Sequence, residues 1–268
     1  LAAQGALYPL GDLLGDDFYQ SLPQPYQGRY GFKQAVSLNG KTYGIPINFG
    51  AYVTGVFAVW NQELFEEEGI TSVYDLIEND EWTWEKLKEI AIQLTEDTDG
   101  DGNVDQWGIG GMFPGDQNAL LHYVATNGAY LTKKVDGKVK FALNDGGKAA
   151  YVLNMMSELQ AANTVHGKWN AWDQFKNGNI GVYFLPLWAA QNTKNDNFKQ
   201  GMAYIPRGPQ SDKYVFGVDR NVYLSVPVTS EDPKPLVDLY LSIFPPEKIE
   251  EDLELRANNA DDVEGYEL

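Results

Sequence analysis

The chain has 268 residues, 43% of them hydrophobic, which is enough for two modest lobes or one large α/β domain. Its 38 acidic residues against 20 basic ones give a net charge of −18, which argues against nucleic acid and anionic membranes as partners. No hydrophobic run reaches the roughly 18 to 20 residues that span a bilayer. The chain has no cysteine, which fits a reducing compartment or an exported protein. No signal peptide is evident and residues 1–7 read like the end of a helix, so we expect a fragment or a processed product.

Short extended segments alternate with helices in the first part of the chain. Asn39-Gly40 predicts a hairpin turn, and the apolar run at 53–60 predicts a buried strand. Asn61 is expected to cap a short helix. Thr83 is expected to cap a second helix, whose apolar residues recur at helical spacing: Trp84, Leu87, Ile90, Ala91 and Leu94.

The second part of the chain continues this alternation. Asp136-Gly137 predicts another hairpin, and Asn144 or Asp145 is expected to cap the helix that follows. Further strands and a last helix are predicted at 180–185, 202–205, 214–226 and 233–244. Alternating strands and helices indicate an α/β fold with a largely parallel sheet.

An acidic loop lies between the second predicted helix and the next strand. Residues 97–108 read Asp-Thr-Asp-Gly-Asp-Gly-Asn-Val-Asp-Gln-Trp-Gly, and alternate acidic positions with a glycine at the sixth place match the first half of a calcium loop. The twelfth position is Gly108, where a helix–loop–helix calcium hand carries a bidentate Glu. We therefore predict a structural calcium site rather than a calcium switch; a solvated acidic turn without metal is the alternative. The predicted ligands are Asp97, Asp99, Asp101, Asn103 and Asp105.

The motifs of common enzyme classes are absent from this sequence. His122 and His166 are its only histidines, and neither has a metal-ligand partner at the usual spacing. There is no phosphate-binding loop and no Gly-x-Ser-x-Gly elbow. Paired carboxylates for glycoside hydrolysis stay open, because their spatial separation cannot be read from sequence. The 16 Tyr and 7 Trp suit a sugar cleft, since sugar rings stack on aromatic faces.

Three stretches together resemble the extracellular solute-binding proteins of bacterial ABC transporters, in particular the sugar-binding, maltose-binding-protein-like group. Their order and spacing are more specific than any one of them. The stretches are Gly40-Lys41-Thr42-Tyr43-Gly44-Ile45-Pro46 with 56–70, Trp82-Thr83-Trp84 with the acidic loop, and 175–182 with 187–188 and 202–209.

The resemblance implies a periplasmic-binding-protein-like α/β fold of two lobes joined by hinge strands. Residues 1–52 would form part of the first lobe and the first crossing, 53–215 the second lobe with the acidic loop, and 216–268 the return crossing and more of the first lobe. Since members of the family are longer, the second lobe would be nearly complete, the first only partial, and the chain truncated at both ends.

The resemblance also implies a solute cleft between the lobes, with no catalytic residue. Such a cleft needs aromatic platforms and hydrogen-bonding groups near the hinge and at strand ends. The predicted ligand-binding residues are Asn48, Phe49, Tyr52, Phe113, Trp188, Asp219 and Arg220.

The function implied is that of a non-enzymatic receptor that delivers a carbohydrate, an oligosaccharide or a sugar derivative, to the permease of an ABC importer. Its location would be extracellular, either periplasmic or on the cell surface as a lipoprotein, with the membrane reached only through a lipid anchor outside this chain. Two alternatives stay open: a calcium-stabilised glycoside hydrolase fragment, and a lectin-like carbohydrate-binding module.

Overall fold

A computed structural model describes residues 1–21, 36–46, 55–111, 117–168, 170–186, 189, 192–215, 223–245, 248 and 251. These residues group into two compact units, one within Leu1–Tyr52 and Arg220–Val263 and the other within Val53–Asp219. None of the helices in the described ranges has both the length and the apolar character needed to span a bilayer. The predicted lobe boundaries stay a prediction, because the residues at both predicted crossings lie outside these ranges.

The unit within 53–219 is built on a four-stranded sheet in the order β5-β8-β4-β9. Its strands are β4 Val56–Asn61, β5 Trp107–Gly111, β8 Ile180–Pro186 and β9 Gln200–Tyr204. The helices of this unit are α2 Gln62–Glu67, α3 Val73–Glu78, α4 Trp84–Gln93, α5 Gln117–Ala125, α6 Lys148–Ala161 and α7 Trp172–Lys176.

Strand direction in this sheet differs in part from the prediction. β5 and β8 pair in parallel, but β4 pairs antiparallel with both β8 and β9, so it runs against the other three strands. The expectation of a largely parallel sheet is therefore wrong for β4. The physical reason is that alternation of strands and helices along the chain predicts helices packed on a sheet. It does not predict the direction of each strand, which depends on which strands become neighbours.

Both faces of the sheet are buried, and its central strands β4 and β8 are mostly apolar. In β4, Ala58 and Trp60 join the larger apolar cluster, together with residues of α2 to α6. Phe57 and Val59 of the same strand join a second cluster with Phe175 of α7. Successive side chains of a strand point to opposite faces, so a continuous apolar run marks a strand covered on both sides.

The predicted helix caps are confirmed in two cases and wrong in one. The Asn61 side chain accepts a hydrogen bond from the Leu64 amide at 3.1 Å, and the Thr83 side chain accepts one from the Lys86 amide at 3.2 Å. Before α6, however, a 3-10 turn intervenes and Gly147 is the N-cap, with no side-chain cap bond. Consecutive glycines at 146 and 147, both with positive φ, delay the helix beyond Asn144 and Asp145, the two expected caps.

The second predicted hairpin is confirmed as β6 Thr132–Val135 paired with β7 Lys138–Phe141. Asp136 and Gly137 form its turn, both with positive φ, as such two-residue turns require. The two strands form a separate two-stranded sheet.

The other unit contains α1 Gly11–Ser21, β1 Ser37–Leu38, β2 Lys41–Thr42, β3 Ile45–Pro46, β10 Tyr223–Leu224 and α8 Pro233–Ile243. β1 and β2 form the predicted Asn39-Gly40 hairpin, and β3 pairs with β10. Leu10, Tyr19 and Ile45 lie in its small core with Val226 and Val237. Within this core the Tyr19 hydroxyl donates to the Gly44 carbonyl at 3.1 Å.

Candidate functional site

The acidic loop is held at its base by a short backbone ladder between α4 and β5. The Glu96 amide donates to the Gln106 carbonyl at 2.9 Å, and the Gln106 amide donates back to Glu96 at 3.0 Å. The Gln106 side chain adds a bond to the Leu94 carbonyl at 2.8 Å. These hydrogen bonds hold the two ends of the loop together between α4 and β5.

Three of the five predicted metal ligands converge within this loop. Asp97, Asp99 and Asp105 each place a carboxylate oxygen within 4.8 Å of the other two. Carboxylate oxygens arranged in this way suit a hard divalent cation, which takes six to eight oxygen ligands when it is calcium. Asp105 is oriented by Thr98, whose amide and hydroxyl both donate to Oδ2, at 3.0 and 2.9 Å.

The other two predicted ligands are bonded to each other. The amide and the side-chain nitrogen of Asn103 both donate to Asp101 Oδ1, at 2.8 and 2.9 Å. The group of three carboxylates does not include Asp101. Metal ligation by Asp101 and Asn103 stays a prediction.

Backbone donors stabilise the ionised form of Asp97. The Gly102 amide donates to Oδ2 at 2.7 Å, and the Gly100 amide donates to Oδ1 at 2.8 Å. These bonds, foremost the one from Gly102, lower the pKa of the Asp97 carboxyl. The pKa of Asp101 is lowered as well, first by the Asn103 amide. Both side chains are therefore charged at neutral pH, the state a cation requires.

A second candidate region lies at the edge of the sheet where β5 and β8 end. The two strands are parallel neighbours, with Gly111 opposite Phe184, so their carboxyl ends meet at one edge. Phe113 follows the last residue of β5 by two positions, and Trp188 follows the last residue of β8, Pro186, by two. In open α/β sheets ligands bind outside the carboxyl ends of strands, so this edge is the part of the sheet where a ligand is expected.

The predicted ligand-binding residues themselves all lie outside the described residues, and their roles stay predictions. They are Asn48, Phe49, Tyr52, Phe113, Trp188, Asp219 and Arg220.

Residues 1–235 match the profile of the family described as bacterial extracellular solute-binding protein. The match covers most of the 268 residues. The chain belongs to this family. The predicted family is thereby confirmed.

Curated relatives of this solute-binding protein are distant. The Brucella abortus (strain 2308) protein named "Putative binding protein BAB2_0491" is 25% identical over 230 residues, which are 82% of this chain and 50% of the relative. The chain thus spans about half the length of the curated relatives it matches.

Solved structures of bacterial binding proteins share the fold. CpMnBP1 with mannotriose bound gives a TM-score of 0.65 at 20% identity, over 94% of this chain and 62% of that one. The maltose/maltodextrin-binding domain MalE from Bdellovibrio bacteriovorus, bound to maltotriose, gives a TM-score of 0.61 at 22% identity, over 92% of this chain and 60% of that one. The ABC substrate-binding protein Lmo0181 from Listeria monocytogenes, in complex with cycloalternan, gives a TM-score of 0.61 at 19% identity, over 89% of this chain and 56% of that one. The predicted periplasmic-binding-protein-like α/β fold class is confirmed. MalE is named as a maltose/maltodextrin-binding domain and Lmo0181 as an ABC substrate-binding protein.

One surface was missed by reasoning from sequence. The β6–β7 hairpin, predicted from sequence as a hairpin without a role, exposes lysines and large apolar side chains together. The signal was present in 133–141, Lys-Lys-Val-Asp-Gly-Lys-Val-Lys-Phe, where lysines precede a tight turn and alternate with apolar residues after it.

Proposed function

We propose that this chain is the solute-recognition part of an ABC importer, and that it binds a carbohydrate and delivers it unchanged to a membrane permease. The carbohydrate is an oligosaccharide or a sugar derivative. The observation that carries this proposal is the family match over residues 1–235, to which structural neighbours with bound oligosaccharides add support. The location proposed is periplasmic or at the outer cell surface, with a lipid anchor outside this chain.

The geometry of the sheet edge supports a carbohydrate ligand. Phe113 and Trp188 follow strands that end side by side, and both offer flat faces on which sugar rings stack. Gly111 has φ 87, and a Cβ there would lie 2.0 Å from the Phe184 carbonyl oxygen, so the backbones of β5 and β8 are in close contact where β5 ends.

The glycoside hydrolase alternative has less support. A glycosidase uses two carboxyl groups, and its general acid has a pKa raised by its environment, often an apolar pocket. No Asp or Glu side chain is buried in the part of the chain for which burial is described. The family match and the neighbours also favour binding without reaction.

A ligand-dependent shift in melting temperature tests the proposal. All seven predicted ligand residues lie within this chain, so we expect the chain itself to be stabilised by one member of a panel that includes maltotriose, mannotriose and mannobiose. At a ligand concentration of 100 times Kd the stabilisation is about 2.7 kcal/mol. Trp188→Ala should abolish the shift, while Gly167→Ala, at a glycine with open space around it, should leave it unchanged. Chromatographic detection of sugar cleavage would contradict the proposal.

We also propose that the acidic loop binds calcium through Asp97, Asp99 and Asp105, as a structural site. Three converging carboxylates in an exposed loop repel one another without a cation, and the backbone bonds to Asp97 keep its charge in place. Asp101 and Asn103 complete the set of five ligands that the loop pattern predicts.

Calcium titration of chelator-treated protein tests this site. We expect heat of binding and a rise in melting temperature with calcium, and a loss of about tenfold or more in calcium affinity for Asp99→Asn, because the ligand charge is reduced without change of shape. Asp196→Asn, an exposed aspartate elsewhere, is the matched control.

The pKa of the Asp97 carboxyl is lower in the folded chain than in the unfolded chain. The charged carboxylate therefore stabilises the fold above its unfolded pKa, and this stabilisation is lost as pH falls through the folded pKa. Binding should therefore persist from pH 7 to pH 5; equal titrations of wild type and D99N would contradict the site.

A further inference from the structure

The β6–β7 hairpin has two chemically different faces. Its register pairs Thr132 with Phe141, and Lys134 with Val139. Directly opposed residues and residues two apart share a face, so these four side chains lie together. The intervening pairs, which contain Lys133, Val135, Lys138 and Lys140, form the other face.

The first face presents large apolar side chains to solvent. Val139 is 63% exposed and Phe141 is 62% exposed, and Tyr130, just before β6, is 59% exposed. Single exposed apolar residues are ordinary on protein surfaces, whereas a patch of them marks a surface that contacts a protein or a membrane. Val139 and Phe141 are two residues apart on one strand and form the apolar pair of the hairpin, with Thr132 and Lys134 on the same face.

The second face is cationic. Lys133, Lys138 and Lys140 lie on it, and Lys133 forms an ion pair with Asp145. Lys134, Lys138 and Lys140 have no ion pair within the described part of the chain. Between the ends of the hairpin, residues 132–141 contain four lysines and one aspartate, in a chain whose net charge is −18.

We propose that this hairpin docks on the surface of a bilayer rich in anionic phospholipid. Val139 and Phe141 enter the boundary between headgroups and acyl chains. Lys134 on the same face and Lys138 and Lys140 on the other face bind lipid phosphates. A short element that combines exposed apolar side chains with several lysines has the pattern of elements that lie in a membrane interface. The long lysine side chains can reach the phosphates while their methylene groups stay on apolar surface.

The overall negative charge does not prevent this contact. Charges beyond about 8 to 10 Å are largely screened at physiological ionic strength, so the lipid surface senses the local lysines more strongly than the distant carboxylates. Net charge led to the expectation that anionic membranes are not partners; the distribution of charge in the fold changes that expectation for this one element.

A protective role for the lysines accounts for less of the surface. Lysines on exposed strands deter pairing with other chains, and β6 and β7 pair with no third strand among those described. That role explains the charges, but it would favour polar residues at 139 and 141, where Val and Phe are exposed instead. A bilayer accounts for both the charge and the apolar group.

Sedimentation with lipid vesicles tests the proposal directly. We expect the 268-residue chain to sediment with vesicles of seven parts phosphatidylcholine to three parts phosphatidylglycerol, and not with pure phosphatidylcholine. Lys138→Gln with Lys140→Gln should weaken the partition coefficient about tenfold or more, since each lysine near an anionic surface adds about fivefold. Lys194→Gln with Lys199→Gln removes the same charge from two exposed lysines elsewhere and should leave binding unchanged.

The apolar half of the proposal has its own variants. Val139→Ser with Phe141→Ser changes only exposed side chains, so the fold should persist while vesicle binding falls about tenfold. Because the chain has no cysteine, Val139→Cys also gives a unique position for an environment-sensitive fluorophore. Its emission should shift to the blue on addition of anionic vesicles, whereas the same label at Ser157→Cys, an exposed position on α6, should not respond.

Each other outcome overturns the proposal. Absence of sedimentation with anionic vesicles assigns the hairpin to a protein partner or to no partner. Equal loss of vesicle binding in the Lys138/Lys140 variant and in the Lys194/Lys199 variant shows non-specific attraction by charge. Loss of vesicle binding in the Lys138/Lys140 variant but not in V139S/F141S shows recognition of a soluble polyanion rather than a bilayer.

Discussion

Trp84→Ala should lower the free energy of unfolding of this chain by about 4 kcal/mol, among the largest effects of any single truncation here. Trp84 is the first residue of α4 and is completely buried. Its indole nitrogen donates to the Thr126 hydroxyl at 2.8 Å, and its ring meets that of Tyr123 edge-on at 5.8 Å. The substitution leaves a large cavity and removes a buried donor from Thr126, so transfer, packing and hydrogen-bond losses add.

A control in the same helix separates this effect from helix propensity. Ile92 lies on the outer face of α4 and is 51% exposed, so Ile92→Ala should change stability by no more than about 0.5 kcal/mol. Urea denaturation followed by circular dichroism measures both variants. Similar midpoints for W84A and I92A would show that α4 is not packed as described.

Gly108→Ala should cost about 3 kcal/mol, although it adds only one methyl group. Gly108 lies in β5 where α4 crosses the strand, and a Cβ there would lie 2.3 Å from the Ala91 carbonyl oxygen and 2.5 Å from the Ala91 Cα. Backbone atoms cannot rotate out of the way as a side chain can, so helix and strand must separate. The Gly108 amide also donates to the Thr95 hydroxyl at 3.0 Å, a bond this separation would strain.

Gly167→Ala is the matched control, because nothing lies within 4 Å of the added methyl group. It should be neutral or slightly stabilising, since alanine restricts the unfolded chain. Thermal unfolding of both variants measures the difference. A melting temperature for G108A equal to that of G167A would contradict the close contact between α4 and β5.

Local chemistry made the helix starts and hairpins readable from sequence. Asn61 and Thr83 precede apolar runs and bond to their helices as caps do, and Asp136-Gly137 supplies the two positive φ values that its turn needs. These features depend on residues that are close in sequence, so they can be inferred without knowing the fold.

Strand neighbours and converging ligands were not readable in this way. The apolar run of β4 identified a strand, but its antiparallel pairing with both β8 and β9 depends on residues more than a hundred positions away. In the acidic loop the spacing predicted five ligands, whereas in the structure Asp97, Asp99 and Asp105 converge and Asp101 accepts hydrogen bonds from Asn103. Side-chain preferences for nearby amides decide that grouping, and spacing alone does not contain them.

The net charge of the chain did not predict where its positive charges lie in the fold. The net charge of −18 correctly describes an acidic chain, but it concealed the cationic hairpin at 132–141. The register of β6 and β7 places Val139 and Phe141 on one face with Lys134, and the other three lysines on the opposite face.

Calorimetric titration of the chain with maltotriose, mannotriose and mannobiose, followed by chromatography of the recovered sugar, tests the central claim of non-catalytic carbohydrate binding most directly. The proposed function predicts saturable heat for at least one of these sugars, its loss in Trp188→Ala, and recovery of the sugar intact. Shortened sugar in the recovered material, or no heat with any carbohydrate of the panel, would contradict it.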